Sequence, residues 1–281
     1  MKNILILGNS GYVGTVLVKH LKKKHFLFGV DTNWFKTKVL DKNNYNEFQP
    51  HKFLLTDLRN FNLTELKFIP DAIVYLAAIS NDPMGKQFRK LTHEINTHYC
   101  EKIAKQAKKI GVRKFIFASS CSIYGAAGNA KKKETHKISP LTDYAKSKVN
   151  SENKLKKLSN NNFKVISLRF ATAAGYSPKL RLDLVFNDFI ANGVTKKKIL
   201  ILSDGTPWRP LIHVKDMARA IDWAIQHPLK KRFLALNVGS DKWTFTIKKL
   251  AQLISKTLGN TKVVLNKNSQ PDKRSYTVDF S

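Results

Sequence analysis

The sequence predicts an α/β fold: a doubly wound parallel sheet carrying a smaller, mixed α/β region. Three observations predict it. Short apolar runs recur through the first 170 residues, stretches of helical period separate several of them, and the first run opens directly into a glycine-rich turn. The 281 residues suffice for one large domain or two small ones. With 42% hydrophobic and 25% charged residues, the chain is neither fibrous nor generally disordered.

The strand candidates are Ile4 to Leu7, Phe26 to Val30, Phe53 to Leu55, Ala72 to Leu76, Phe115 to Ala118 and Val165 to Leu168. Runs this short and this uniformly apolar are expected to be covered on both faces. After the first run, Val13, Val16, Leu17 and Leu21 recur at helical spacing. Ahead of the fifth, Leu91, Ile95, Tyr99, Ile103 and Ala107 do the same, and a long helix is expected over about 85–109. Tyr144 to Leu158 reads as another helix. Strands and helices in this alternation make parallel neighbours.

After about residue 170 the rhythm changes. Gly175, Pro178, Gly205, Pro207 and Pro210 interrupt the pattern, and the helical stretches shorten to about 183–191, 214–225 and 246–258. The expected organisation is a dinucleotide-binding domain over 1–170, with 208–239 returning to it. The remaining 171–207 and 240–281 form a substrate-binding region. Tyr276 to Ser281 read as the start of a new element, so the sequence is expected to continue past them.

Gly8-Asn9-Ser10-Gly11-Tyr12-Val13-Gly14 lies between the first strand and the first helix. Gly8 permits the tight turn, Gly11 lets a pyrophosphate approach the backbone, and Gly14 lets the helix pack on the strand, as in a Rossmann-like domain. The helix N-terminus supplies N–H groups and a positive dipole end for the phosphates. Asp31 ends the second strand, 23 residues after Gly8. A carboxylate there accepts ribose hydroxyls and repels a 2′-phosphate, favouring NAD over NADP.

Tyr144 and Lys148 stand four apart on a helix and share one face. A neighbouring cation is expected to lower the phenol's pKa and make Tyr144 a general base. Ser119, Ser120 and Ser122 follow the fifth strand, at the strand end where such folds bind ligands. One of these hydroxyls is placed to hold the substrate hydroxyl that Tyr144 deprotonates.

With these motifs in its order and roughly its spacing, the chain resembles the extended short-chain dehydrogenase/reductases, the nucleotide-sugar epimerases and dehydratases. Asp57-Leu58 looks like that family's adenine contact, Leu76-Ala77-Ala78 its fourth-strand motif, Asn96 its structural Asn, and Arg169 with Gly175 its sixth-strand segment. The stretch from Asp204 through Arg209 to Asp216 resembles its substrate-phosphate segment. The resemblance implies NAD as cofactor, with no metal, and a nucleotide-diphosphate sugar as substrate. It implies Ser120, Tyr144 and Lys148 as the catalytic set. It also implies that Arg209 clamps the diphosphate, which suits a bidentate guanidinium, and that Asn187 contacts the nucleotide. Homodimers through a four-helix bundle are usual in the family, and the stripe Leu91, Ile95, Tyr99 and Ile103 would serve one here or else cover the sheet.

Within the family, the residue two before Tyr124 separates reactions. Dehydratases place Glu there; this chain has Ser122. Epimerases acting at C3 and C5 place Cys there; here Cys121 stands one residue earlier and reads as a packed small side chain. Oxidation at a sugar hydroxyl remains, and the expectation is a 4-epimerase passing through a transient 4-keto sugar. A 4-ketoreductase or a 4,6-dehydratase using another acid is the alternative. Three positions depart from the common epimerase pattern: Thr172 where Asn is frequent, Asp143 before the tyrosine, and Asn81-Asp82-Pro83 after the fourth strand. Asp82 is either a substrate contact or a helix cap.

The chain carries 50 Lys+Arg against 20 Asp+Glu, a net +30, and only nine of the 50 are Arg. Dedicated nucleic-acid sites favour Arg. The lysines are scattered in short clusters and read as a solvated surface whose field also suits an acidic substrate. A non-catalytic NAD-binding protein with a nucleic-acid-binding face is the reading from a different class; neither nucleic acid nor membrane is the expected partner. Two cysteines build no disulfide framework and no apolar run approaches ~18 residues, so the expected location is the cytoplasm.

Overall fold

In chain order the strands are β1 (Asn3–Leu7), β2 (Phe26–Asp31), β3 (Lys52–Leu55), β4 (Ala72–Tyr75), β5 (Lys114–Ser120), β6 (Lys164–Phe170), β7 (Thr172–Ala174), β8 (Lys198–Ile201), β9 (Trp208–His213), β10 (Phe233–Val238), β11 (Thr244–Thr246) and β12 (Lys262–Leu265). The helices are α1 (Tyr12–Leu21), α2 (Asp82–Gln87), α3 (Arg89–His93), α4 (Cys100–Lys109), α5 (Asp143–Leu158), α6 (Val185–Lys196), α7 (Val214–Gln226) and α8 (Ile247–Leu258). This computed structural model describes residues 1–40, 42–80, 82–126, 130–266 and 274–281; Asn81 lies outside them.

Seven strands form one parallel sheet in the order β10-β6-β5-β4-β1-β2-β3. Their carboxyl ends share one edge of the layer and their amino ends the other. The chain winds outward from β1 through β2 to β3, then returns to β4 and winds the opposite way. That reversal opens a crevice at the carboxyl ends of β1 and β4.

Alternation along the strands builds two cores. Ile4, Ile6, Val74 and Ile116 face α1 and α7, while Leu5, Leu7, Ile73, Phe115 and Phe117 face α4 and α5. Each such side chain, fully buried, contributes roughly 1.5–3 kcal/mol. The edge strand β3 departs from the expected double cover: Phe53, Leu54 and Leu55 are 36%, 39% and 65% exposed. The connections on either side of it hold short 3₁₀ turns, Tyr45–Phe48 and Leu63–Glu65, where a covering helix would stand.

The long helix expected over 85–109 is divided into α2, α3, a π-helical turn at Glu94–Tyr99, and α4. Leu91, Ile95 and Tyr99 are half-buried, whereas Thr92, Asn96, Thr97 and Cys100 point inward. Hydrogen bonds to α5 hold these polar residues: Thr97 Oγ1 donates to Ser147 O (3.2 Å), and Ser151 Oγ donates to Asn96 O (2.7 Å). Wide turns of this kind are frequent at functional sites.

β9 pairs with β7 and with β11 in a three-stranded sheet, and β8 pairs with β12. α6 and α8 close over these strands through Phe189, Ile199, Leu211, Leu250 and Ile254. The chain then crosses back: α7 packs on α1 and β10 extends the central sheet beside β6. The last residues form no new element. Single bridges join Ser275 to Ala126 and Val278 to Lys132, and Tyr276 and Val278 are buried against Cys121, Ile123 and Tyr124.

Candidate active site

Gly8 takes φ +94, and a Cβ there would stand 2.6 Å from Ala77 N. A Cβ on Gly14 would stand 2.2 Å from Gly8 O, so helix and turn touch directly. Gly11 differs. Its Cβ would meet only Gly8 O, at 3.6 Å, so the space above it is open. Gly11 is the N-cap of α1 with no side-chain cap, and no acid sits in the first turn. A bare positive helix end beside an open glycine is a cradle for phosphate. Ser10, Tyr12 and Val13 complete the turn; the Tyr12 hydroxyl is committed elsewhere, donating to Gly175 O at 2.7 Å.

Asp31 closes the neighbouring side. Its Oδ2 accepts from Ser10 N (3.0 Å) and its Oδ1 from Asn33 N (2.8 Å). Each oxygen keeps a lone pair for a ribose hydroxyl. Asp57 turns both oxygens onto Arg59, at 3.1 and 2.9 Å, and that pairing holds its carboxyl below the usual range. Leu58 is buried in the core with Leu7 and Val30. Leu76 and Ala77 both donate their N–H to Leu7 O at 2.9 Å, and Ala78 lies half-buried beyond them. Asn96 spends its amide inside the protein: Oδ1 accepts from Ile79 N (2.9 Å), and Nδ2 donates to Ile79 O (3.0 Å) and Ser147 Oγ (3.0 Å). It pins the loop after β4 to the helix that carries Tyr144 and Lys148.

The residues at the β5 end converge. Thr142 caps α5 by accepting from Ala145 N at 3.1 Å, a cap contributing about 1 kcal/mol, and so fixes Tyr144 in the first turn. The Ser120 hydroxyl lies near enough to the Tyr144 phenol to oppose the effect of burial on it, and Ser120 Oγ accepts from Ser122 N at 3.1 Å. Buried hydroxyls of Ser119 and Ser122 have no partner. Such orphaned groups are costly unless a ligand meets them. Lys148 is 2% exposed and donates to Ala118 O at 2.8 Å. Burial lowers it to about 8. Its ammonium lies 5.5 Å from the centre of the Tyr144 ring. The expected lowering of the Tyr144 pKa is not found: burial dominates, Arg181 and Ser120 oppose it, and the phenol is pushed up to about 12.

Beneath the serine turn lies a strut that the sequence did not announce. Arg169 is buried and forks onto Glu152, with Nε–Oε1 at 3.1 Å and Nη2–Oε2 at 2.8 Å, and donates to the Tyr124 hydroxyl at 3.0 Å. Tyr124 in turn donates to Asn237 Oδ1 at 2.7 Å, and Cys121 Sγ donates to Arg169 O at 3.1 Å. Cys121 is thereby buried away from the crevice, and burial raises its thiol.

Of the substrate candidates, Asn187 is buried, accepting from Gly175 N (3.0 Å) and donating to Arg181 O (3.0 Å). It orders the loop after β7. Arg209 lies over the Tyr276 ring and donates to Trp208 O (2.8 Å) and to Arg274 O. Asp82 opens α2 and pairs with Arg274, and its other oxygen, Oδ1, is buried without a partner. Asp143 pairs with Arg89 at 2.9 Å, and Thr172 lies beside the Tyr276 phenol, opposing the rise that burial gives it. Arg181, Arg274 and Tyr276 therefore stand at the site although sequence reasoning passed over them. Arg181 donates to Ser80 Oγ at 2.8 Å, and its charge reaches Tyr144. A lone Arg in a loop and an Arg-Ser-Tyr in a tail carry no local signature.

The cradle at α1, the ribose carboxylate and the orphaned hydroxyls fit a dinucleotide lying across the crevice. The family model for the NAD dependent epimerase/dehydratase family matches residues 4–239. A Bacillus subtilis (strain 168) protein described as an uncharacterized UDP-glucose epimerase, YtcB, is 27% identical over 235 residues, covering 80% of this chain and 73% of that protein. The UDP-glucose 4-epimerase of Rhizobium meliloti (strain 1021) is 25% identical, covering 90% of this chain and 81% of its own. The structure of the UDP-Glc/GlcNAc 4-epimerase from Campylobacter jejuni superposes with a TM-score of 0.81 at 25% identity, over 100% of this chain and 91% of that one. Motif order, crevice geometry and family match coincide over the same residues, and the chain belongs to the NAD dependent epimerase/dehydratase family.

Proposed function

We propose that the protein is a UDP-sugar 4-epimerase. The observation that carries this reading is the convergence of Ser120, Tyr144 and Lys148 at the end of β5, with Ser122 where a dehydrating enzyme needs a carboxylic acid. Relatives described as UDP-glucose 4-epimerases support both the nucleotide and the carbon. NAD, which the Gly8–Gly14 turn and Asp31 would hold, would supply a hydride acceptor that also gives the hydride back.

The chain's own residues handle the proton. Tyr144, as phenolate, takes the proton of the sugar's 4-hydroxyl while the C4–H bond breaks. It returns the proton to the oxygen after the 4-keto sugar has presented its opposite face. Ser120 holds that oxygen through its hydroxyl, which stands beside the Tyr144 phenol. The phenol is a donor in the free chain, since burial holds it at about 12. The same low dielectric amplifies any positive charge brought beside it, and Lys148, at about 8, is mostly charged at neutral pH. Arg209 and Arg274 hold the diphosphate. Asp31 selects NAD. We assign 1–170 with the returning 208–239 to the cofactor, and 171–207 with 240–281 to the nucleotide sugar. The half-buried Leu91, Ile95 and Tyr99 are assigned to a homodimer contact, which sedimentation checks.

The test is a panel of nucleotide sugars supplied with NAD, followed by NMR and by absorbance of NADH. An epimeric sugar at C4 with no accumulating NADH is expected. Consumption of added NADH by a 4-keto sugar would replace the epimerase with a reductase.

A further inference from the structure

We propose that the amino-end edge of the central sheet is a docking face for anionic lipid bilayers, directed away from the crevice. Strand polarity defines this face. In a parallel sheet every connection that enters a strand arrives at the same edge, and every helix that feeds a strand ends there. The connections into β2, β5 and β10 bring Lys23, Arg113, Lys230, Lys231 and Arg232 to that edge, all exposed, and Lys109 stands in the last turn of α4. Residues far apart in sequence are thus gathered on one surface. The acids nearest that edge are already engaged: Glu47, ahead of β3, pairs with Lys19 at 2.6 Å, Glu65 accepts from Asn62 Nδ2 at 2.8 Å, and Asp71 accepts from Asn3 N at 2.7 Å. Asp222, in α7, is 6% exposed and already held by His20 and Lys24, at 2.9 and 2.6 Å.

Three more lysines add charge from within. Lys2, Lys114 and Lys164 direct their ammonium groups onto main-chain oxygens of Ile225, His227 and Leu229 at the end of α7. Those carbonyls are the negative end of α7 and balance the three ammonium groups only in part. Burial, with Lys2 and Lys164 beside it, lowers Lys114 to about 8.

Apolar groups interrupt the same edge. Trp223 is 43% exposed in the last turns of α7 and stacks on His227 at 4.3 Å, and Ile69, just ahead of β4, is 58% exposed. Lysines on flexible stems around isolated apolar side chains match a mobile anionic headgroup layer. Nucleic acid is the poorer fit. Single strands need a row of stacking rings, whereas this edge offers two arginines among lysines and one indole already stacked on a histidine. No helix among the described residues is long and apolar enough to cross a membrane; a docking face needs none.

The test uses the full chain and vesicles of 70:30 phosphatidylcholine:phosphatidylglycerol, with pure phosphatidylcholine beside them. Salt-sensitive co-sedimentation with the mixed vesicles alone is expected. The combined variant Lys23→Gln, Lys230→Gln, Lys231→Gln, Arg232→Gln should weaken it on the order of 10²–10³-fold. A control of equal charge on the opposite side, Lys86→Gln, Lys90→Gln, Lys137→Gln, Lys146→Gln, should stay within about threefold of the parent. Vesicles should shift the tryptophan emission to the blue, and Trp223→Phe should remove that shift. Equal loss in the two charge variants would overturn the proposal, because net charge alone would then act. So would tighter binding of a 30-nucleotide RNA that depends on the same four residues.

Discussion

The two edges of the central sheet are built from the same strands and do opposite things with charge. At the carboxyl edge acids and bases pair, Asp57 with Arg59 and Asp183 with Arg181 within one loop, Asp82 with Arg274 and Asp143 with Arg89 between segments. Buried groups without protein partners there include the Ser119 and Ser122 hydroxyls and Asp82 Oδ1. At the amino edge, Lys2, Lys114 and Lys164 rest on main-chain carbonyls, while Lys24 pairs with Asp222. Parallel topology sorts the two populations, since loops that leave strands and loops that enter them never share an edge. Chemistry therefore collects where side chains are held in pairs, and long-range field collects where they are not.

The largest effect that would sharpen this contrast is at the carboxyl edge. Tyr144→Phe should lower turnover on the order of 10³-fold with NAD still bound, as read by NMR of the sugar and by cofactor retention on gel filtration. Full activity in that variant would dissolve the catalytic half of the comparison. Next comes the turn beneath the cofactor. Gly14→Ala places a methyl 2.2 Å from Gly8 O, and about 3 kcal/mol of stability should be lost, visible as a fall in the denaturant midpoint.

A smaller effect tests both edges together. Lys148 at the carboxyl edge and Lys114 at the amino edge are each lowered to about 8 by burial, below the ~10.4 of an unfolded lysine. Between those values the unfolded chain binds the extra protons, so stability rises as pH climbs from about 8 to about 10. Thermal melts across that window should show the rise, and Lys148→Met and Lys114→Met should each flatten it. An undiminished rise in both variants would assign the slope to other groups. The smallest effect expected is on folding when the amino edge is neutralised. The combined Lys23, Lys230, Lys231 and Arg232 variant should unfold within about 0.5 kcal/mol of the parent per substitution, with turnover unchanged. A large loss there would make that edge structural.

Legibility in the sequence followed the same division. The glycine turn and the Tyr144/Lys148 pair were readable because each lies within seven consecutive residues, and Asp31 and the serines after β5 because each stands at the end of an apolar run. The strut of Arg169, Glu152, Tyr124 and Asn237 was not, since it takes one residue from each of four elements. Arg274 and Tyr276 reach the crevice only because the tail folds back. Phe53 to Leu55 has the apolarity of a covered strand, and what uncovers it is the missing helix beside it rather than anything in the run itself. The amino-edge lysines looked scattered because they are scattered along the chain; the sheet brings them together.

The wide turn at Glu94–Tyr99 has a consequence for evolution of this layer. A π turn holds one residue more than the α turn it replaces, so the helix beyond it is rotated by about 100° relative to the helix before it. One continuous segment thereby serves two surfaces: Leu91, Ile95 and Tyr99 are turned partly outward, and Ile103 and Ala107 are turned into the sheet. Deleting His98 would restore the phase, but it would also pull Asn96 away from Ile79 and Ser147. The extra residue is therefore locked in by the loop it holds. The extra residue thus lets one segment meet two surfaces, each with its own set of side chains.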